Sequence, residues 1–172
     1  MRPATSPRVL ALYASYIGIG FVFFDGNALP EWRIKRIRGV SATQLRFRTV
    51  KKLLEHFAPD VLVLEDTSVK TSRRDKRVHA LYAQIARFAK EEGVQVKRYT
   101  QERVFEYFQA HKKDDVSLAV VGVIPALAPR LPRMRRNYMS EHPRQAIFDA
   151  AALGILHIAM EKPEEGAAER TP

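Results

Sequence analysis

The chain has 172 residues, of which 46% are hydrophobic and none is cysteine. This length suits a single domain with a sizeable core, and the lack of cysteine excludes disulfides, thiolate zinc sites and cysteine nucleophiles. Twenty-nine Lys and Arg against nineteen Asp and Glu give a formal net charge of +10. An excess of this size suggests a polyanionic partner. The alternative is a generally basic surface, but we favour nucleic acid because the charges cluster.

The first residues of the chain and its longest apolar run indicate where in the cell the protein is expected. Residues 1–7 lack the apolar core of a signal peptide. The longest apolar run, residues 116–128, is shorter than the roughly 20 residues that a membrane-spanning helix needs. We therefore expect a soluble, cytoplasmic protein with no membrane partner. Residues 8–161 are expected to form one domain, with residues 1–7 and 162–172 as flexible tails.

Three strands are predicted before the first helix. Residues 9–14 are mostly apolar, and residues 16–24 are rich in aromatic and β-branched side chains. The turn signal Asp25-Gly26-Asn27 predicts a hairpin that joins residues 16–24 to residues 31–38. Residues 31–38 alternate apolar with basic side chains, which is typical of a strand at the edge of a sheet.

Helices alternate with strands in the next part of the chain. Residues 41–44 match a capping box at the start of a helix, and that helix ends before a buried strand over residues 61–65. A second helix stops at Gly93, and residues 94–99 form a short strand. The inner stripe of the first helix is predicted to consist of Leu45, Val50, Leu53, Leu54 and Phe57.

Three further helices complete the prediction. One begins after the last strand, and one runs from residue 116 to about 124 behind a cap at Asp114 or Asp115. The last occupies residues 146–159, with Pro143 in its first turn. The order β-β-β-α-β-α-β-α-α-α predicts an α/β fold, with a mixed five-stranded sheet and helices on both faces.

Two acids stand at the end of the buried strand. The aliphatic residues 61–64 predict a strand that is buried on both faces, and Glu65 and Asp66 follow directly. Because ligands in open α/β sheets bind beyond the carboxyl ends of the strands, these acids are candidates for a ligand or metal site. Alternatively, Glu65 simply leaves the sheet and Asp66 opens a turn.

A third acid lies on the last predicted helix. Residues 146–159 are apolar nearly all round, which is the pattern of a buried helix. An ionised carboxylate buried without a partner costs several kcal/mol. We therefore expect Asp149 to be paired, neutralised, metal-bound or placed at the open end of the helix. If Asp149 lies near Glu65, the two carboxylates could share a divalent cation.

Basic residues cluster in two segments of the chain. The first, residues 70–77, follows the acidic strand end directly, and the second, residues 130–136, is the most basic loop. Clustered cations of this kind are the electrostatic signature of phosphate contacts. The residues predicted to bind nucleic acid are Lys70, Arg73, Arg74, Lys76, Arg77, Arg133, Arg135 and Arg136.

The order of elements and three sequence segments resemble the ribonuclease-H-like fold, and within it the RuvC-type Holliday-junction resolvases. The segments are residues 9–15 with 18–20, residues 61–66 and residues 148–153, and the resemblance spans residues 8–159. Such nucleases hold two Mg²⁺ or Mn²⁺ ions on four carboxylates and cleave phosphodiesters. The resemblance therefore implies a divalent metal, branched DNA as partner, a role in DNA recombination and a homodimer.

The resemblance also implies which residues form the site. The family's glutamate on the fourth strand falls on Glu65, and its final-helix aspartate falls on Asp149; these two are the implied metal ligands. The first-strand aspartate falls on Tyr13, and the acid or histidine one turn before the last aspartate falls on Ala146. With only two certain ligands, binding of Mg²⁺ or Mn²⁺ is expected to be weak. The residues near enough in sequence to compensate are Asp66, Glu141 and His142.

Two functions remain open at this point. One is a metal-dependent, structure-selective DNA endonuclease with an altered carboxylate site, and the other is a nucleic-acid-binding relative without catalysis. Tyr13 favours the second, because a neutral phenol is a poor ligand for Mg²⁺. Glu65 and Asp149 favour the first. A scaffold protein whose charge is incidental is a third, weaker hypothesis, and His142 suits a helix cap as well as a site.

Overall fold

The structure is a computed structural model, and it describes residues 6–39, 41–70, 72, 74–134 and 141–162. The tails predicted at the two ends of the chain fall almost entirely outside the described residues. Three of the predicted nucleic-acid-binding residues also lie outside them, namely Arg73, Arg135 and Arg136.

The centre of the fold is a five-stranded sheet in the order β3-β2-β1-β4-β5. The first three strands pair antiparallel, whereas β4 pairs parallel to both β1 and β5. The mixed five-stranded sheet predicted from the sequence is therefore confirmed, with β3 as an edge strand. The strands are β1 (Arg8–Ser15), β2 (Gly18–Asp25), β3 (Glu31–Arg36), β4 (Val61–Glu65) and β5 (Gln95–Tyr99).

Helices cover both faces of this sheet, as predicted. The apolar residues of α1 and α2 pack with Leu10, Leu12 and their neighbours on one face. The residues of α3, α4 and α5 pack with Val9 and Ala11 on the other face. The helices are α1 (Ala42–Phe57), α2 (Lys76–Glu91), α3 (Gln101–Phe108), α4 (Lys113–Val123) and α5 (Gln145–Glu161), with a 3-10 helix over Pro125–Arg130.

The start of α1 differs from the prediction in two respects. Ser41 does precede the helix, but its side chain makes no capping hydrogen bond, so the capping box is wrong. Leu45 is 40% exposed and does not belong to the inner stripe. It stands five residues before Val50, which turns it about 140° around the helix axis from that buried residue. Phe47 packs against the core instead.

The start of α4 lies earlier than predicted. The helix begins at Lys113, and Asp115 occupies its third position rather than capping it from outside. The Asp115 carboxylate accepts hydrogen bonds from the backbone N–H groups of His111 and Lys112. An acid in the first turn satisfies free N–H groups just as a cap does. Because α4 begins earlier than predicted, Lys113 is its first residue, and the helix determines where the side chain of Lys113 lies.

Helix α5 lies unusually close to the sheet because small residues face it. A Cβ atom on Gly20 of β2 would lie 2.6 Å from the main chain of Ala146, and one on Gly154 would lie 2.3 Å from the ring of Phe24. Larger side chains at these positions would push the helix away. This contact fixes the height of α5, and therefore of Asp149, above the sheet.

Candidate functional site

The candidate site lies at the carboxyl edge of the sheet, where β1 and β4 end side by side. The parallel register pairs Ala11 with Val63, so Tyr13 and Glu65 stand level two residues further along. Both side chains lie on the face that α5 covers, and with Asp149 they line one cavity of about 30 Å³. The sequence prediction that the acids of β4 and of the last helix face a common space therefore agrees with this geometry.

The ammonium group of Lys113 is at the centre of the cluster. It donates hydrogen bonds to the phenol oxygen of Tyr13 (3.1 Å), to Oε1 of Glu141 (2.5 Å) and to Oδ2 of Asp149 (3.1 Å). Only 22% of the lysine side chain is exposed. The ammonium of Lys113, on α4, thus contacts side chains from β1, from the segment before α5 and from α5 itself.

The second oxygen of Asp149 is also occupied. Oδ1 accepts a hydrogen bond of 3.1 Å from Nε2 of Gln145, one turn earlier on α5. The same amide nitrogen lies 3.1 Å from the hydroxyl of Ser117 on α4. Both carboxylate oxygens therefore have donors, which is what a buried acid on an apolar helix requires.

Arg74 neutralises the acid on the other side of the cavity. Its Nε lies 3.3 Å from Oε2 of Glu65, and a terminal nitrogen donates to the backbone carbonyl of Ala14. The guanidinium carbon stands 4.8 Å from the centre of the Tyr13 ring, in a cation–π contact. Arg74 was predicted as a phosphate-binding residue on the surface, but its head group is turned inward onto Glu65.

Burial governs the ionisation of the cluster. Burial, reinforced by Asp149, raises the pKa of Tyr13, so the phenol stays neutral. Burial alone would lower the pKa of Lys113, but Asp149, Tyr13 and Glu141 together outweigh it and raise that pKa, so the amine stays charged. Burial also raises the pKa values of Glu65 and Asp149, against the opposing effects of Arg74 and Lys113 respectively.

The other predicted site residues have different positions. Glu141 reaches the cluster through Lys113, as its place before the last helix allowed. Asp66 instead accepts hydrogen bonds from the backbone and hydroxyl of Ser68, which corresponds to the turn interpretation. Nδ1 of His142 accepts a hydrogen bond from the backbone of Arg144, a local turn contact. Ala146 packs against Gly20 and faces the sheet.

The remaining predicted phosphate-binding residues lie on the surface. Lys70 precedes α2, Lys76 and Arg77 form its first turn, and Arg133 follows the 3-10 helix; all four are exposed. Because α2 connects the parallel strands β4 and β5, it begins near the carboxyl edge of the sheet. Arg133 lines a second cavity that also contains Lys113 and Glu141. Of these exposed cations, Arg133 therefore lies beside the cluster.

Lys113 and Gln145 were missed by the sequence prediction. Lys113 stands beside Asp114 and Asp115, where it looks like an ordinary surface charge near a helix start. One signal did point to such a partner, since a buried Asp149 must be paired or neutralised. That signal requires a partner but does not say which of the 29 basic residues supplies it.

A divalent metal, which the resemblance implies, fits these residues poorly. Mg²⁺ demands a nearly complete shell of oxygen ligands, whereas the position of the family's bridging aspartate holds a neutral phenol. The oxygens of Asp149 and Glu141 that face the cavity already accept hydrogen bonds from Lys113. Within the described residues, no three His, Cys, Asp or Glu side chains converge in a way that could hold a metal ion.

The architecture is that of the ribonuclease-H-like proteins in their RuvC-type form. RuvC from Thermus thermophilus matches with a TM-score of 0.59 and 19% identity, over 87% of this chain and 92% of that one. The same protein in complex with a Holliday junction substrate gives 0.60 and 17%, over 88% and 92%. The yeast mitochondrial Holliday junction resolvase Ydc2 gives 0.62 and 11%, over 88% and 78%.

Sequence comparisons add no closer relation. No protein-family model matches the chain, and no curated protein matches it either. At identities below 20% the structural likeness establishes the fold, which agrees with the resemblance inferred from the sequence. Among the helices of the described ranges, none combines the length and apolar character that crossing a membrane requires.

Proposed function

We propose that this chain is a nucleic-acid-binding protein that uses the RuvC-type fold to bind branched DNA without metal-dependent cleavage. One observation carries the proposal: the ammonium of Lys113 lies on Tyr13, Glu141 and Asp149, where a nuclease of this fold would need a divalent cation. On the other side of the cavity Arg74 forms an ion pair with Glu65, in which Nε and Oε2 lie 3.3 Å apart without a hydrogen bond. The acids that would serve catalysis are engaged in ion pairs.

The charge of the surface supports nucleic acid as the partner. The net charge of +10 is large for a small domain and attracts polyanions over a long range. Lys76 and Arg77 are exposed at the start of α2, and the exposed Arg133 lines a cavity with Lys113 and Glu141. Two solved structures of the same fold are a RuvC and a fowlpox virus resolvase bound to Holliday junctions, so a four-way junction is the first substrate to test.

A metal-dependent endonuclease is the second candidate, and one observation favours it. Glu141 and Asp149 converge on a single cation, and Glu65 lines the same cavity as Asp149. A two-metal nuclease binds its ions through several carboxylates at one edge of the sheet. This function would need Lys113 to leave the acids before any metal could bind. Cleavage of a four-way junction with Mn²⁺ or Mg²⁺, abolished by Asp149→Asn, would establish it.

The test of the proposal is binding to a four-way junction and to a duplex of equal length, over a range of salt concentrations. Loss of two phosphate contacts should lower the slope of log affinity against log salt by about two units. We expect this for Lys76→Ala combined with Arg77→Ala. The matched control combines Arg87→Ala with Lys90→Ala, which removes the same charge from the other end of α2.

The expected result is tight binding in the presence of a chelator at constant ionic strength, with the larger loss in the Lys76 and Arg77 variant. Absence of binding at low salt, or equal losses in both double variants, would contradict the proposal. The cations at positions 135 and 136 remain a prediction from the sequence, and the same assay tests them. The homodimer also remains a prediction, which light scattering of the free chain tests.

A further inference from the structure

We propose that Lys113 and Arg74 are internal counter-ions that take the place of divalent cations, so that the acidic cluster is complete without metal and excludes it. The proposal concerns the free protein. It deepens the proposed function, because it rests on the same Lys113 contacts, but it does not depend on nucleic-acid binding. Three observations lead to it: the saturation of the Lys113 donors, the anchoring of the acids, and the balance of charge in the cluster.

The first observation is that Lys113 has no donor to spare. An ammonium group carries three N–H donors, and Lys113 has three oxygen acceptors within 3.1 Å, on Tyr13, Glu141 and Asp149. The Tyr13 ring also lies 5.0 Å from Nζ. Lys113 is therefore coordinated by oxygens much as a metal ion would be. It supplies one positive charge at the point where Glu141 and Asp149 meet.

The second observation is that other residues already fix the positions of the acidic side chains. Asp149 receives a hydrogen bond from Gln145 on its other oxygen. The backbone carbonyl of Glu141 lies 3.3 Å from the hydroxyl of Tyr16, at the turn between β1 and β2. Glu65 pairs with Arg74 by charge alone, without a hydrogen bond between Oε2 and Nε, and Arg74 is itself anchored to the carbonyl of Ala14. Reorienting these carboxylates around a metal would break several existing contacts at once.

The third observation is the balance of charge and space. Three carboxylates meet two cations in the cluster, which leaves little net charge to attract a divalent ion. The inner cavity that Tyr13, Glu65, Lys113 and Asp149 share measures about 30 Å³, and Tyr13, Glu65 and Lys113 also line an adjoining cavity of about 310 Å³. The space beside Glu65 is therefore open, whereas the oxygens of Asp149 and Glu141 are taken by Lys113. A metal could bind these two acids only by displacing Lys113.

The test is titration of the free protein with Mn²⁺, followed by calorimetry and by the midpoint of thermal unfolding. We expect no Mn²⁺-dependent rise in the midpoint of the wild type, and no binding heat that Asp149→Asn removes. Lys113→Met deletes the ammonium and leaves a side chain of similar length. In this variant Mn²⁺ should raise the midpoint. The control is Lys112→Met, which removes the neighbouring exposed lysine and should behave like the wild type.

Two outcomes would overturn the proposal. The first is binding of Mn²⁺ by the wild type that Asp149→Asn abolishes, a measurement that does not depend on the folding of Lys113→Met. The second is a folded Lys113→Met protein that gains no stabilisation from Mn²⁺. Neither outcome bears on the binding of four-way junctions in a chelator, so failure here and failure of the proposed function are distinguishable.

Discussion

The acidic cluster has two halves, Glu65 with Arg74 and the pair Asp149 and Glu141 with Lys113, and they neutralise their acids by different means. Arg74 follows Glu65 by only nine residues and is anchored to the main chain at Ala14. Lys113 comes from a different element than Asp149 and contacts side chains alone. Both cations keep 22% of their side chains exposed, so the difference lies in their partners. The Arg74 half is a local contact, whereas the Lys113 half ties distant elements together.

That difference also decides which half matters more to the fold. Lys113 serves two acids and a phenol, and it joins β1, α4 and α5. Arg74 forms an ion pair with one acid, Glu65, and donates a hydrogen bond to one backbone carbonyl, that of Ala14. Removing one partner of a buried ion pair leaves an uncompensated charge behind. The half with more acids per cation should therefore be the more sensitive of the two.

The largest effect is expected for Lys113→Met. The substitution leaves Asp149 and Glu141 facing each other without a cation, and breaking a buried ion pair from one side costs roughly 3–5 kcal/mol. The free energy of unfolding in urea is the measurement, at low salt and without divalent metal. Lys112→Met should stay within about 0.5 kcal/mol of the wild type, as surface substitutions usually do. A loss of the same size in both variants would refute the central role of Lys113.

A smaller loss is expected for Arg74→Met, about 3 kcal/mol, at the lower end for a buried pair broken from one side. Only Glu65 loses its cation, and protonation of that carboxyl can relieve the charge. Adding Glu65→Gln should restore part of the stability, because contacting residues typically couple by roughly 0.5–3 kcal/mol. Unfolding of the two single variants and the double variant gives this coupling. Additive losses would mean that Arg74 stabilises the fold through Ala14 and Tyr13 instead.

Tyr13→Phe separates the two halves more finely. The ring lies under both cations, but within the described residues the hydroxyl hydrogen-bonds to Lys113 alone. Removing the hydroxyl should cost about 1 kcal/mol, the usual net value of one hydrogen bond. The loss should vanish in a Lys113→Met background and persist in an Arg74→Met background, as measured by unfolding in urea. The reverse pattern would assign the phenol to the Arg74 half.

The sequence predicted the sheet well, and it singled out Glu65 and Asp149 as buried acids, because those signals are local. Four aliphatic residues before Glu65 define β4, and an apolar helix around Asp149 demands a partner. The cations could not be assigned in this way. Lys113 is 100 residues from Tyr13 and 36 from Asp149, and only the packing of α4 against α5 brings them together.

The orientation of Arg74 could not be predicted from the sequence either, although its place in a basic segment could. It lies in a run of basic residues, and nothing local distinguishes it from the cations beside it, which are exposed at Lys76 and Arg77. Composition correctly indicated a basic segment, but the direction of one side chain depends on Glu65 and Ala14. Predictions that depended on periodicity failed only where a single position was misplaced on its helix, as at Leu45.

The smallest expected effect is a change of folding stability with pH, and it concerns only the pair of Glu65 and Arg74. Burial raises the pKa of Glu65 in the folded protein, although Arg74 opposes this. A carboxyl whose folded pKa exceeds its unfolded value binds more protons when folded. Its contribution to stability is therefore complete below the unfolded pKa and is lost as pH rises through the folded pKa. Arg74 does not titrate in this range, so the carboxyl alone accounts for the change.

Glu65→Gln removes this titration and leaves a side chain of the same shape. We therefore expect the stability of the wild type, relative to Glu65→Gln, to fall as pH rises from about 4 to about 7. Urea unfolding across this range measures the difference, and Glu55→Gln, at an exposed position on α1, serves as the control. If the wild type instead gains on Glu65→Gln as pH rises, the attraction of Arg74 exceeds the cost of burial. The ion pair of Arg74 and Glu65 would then stabilise the fold by itself. The two halves of the cluster would differ less in their contributions to stability.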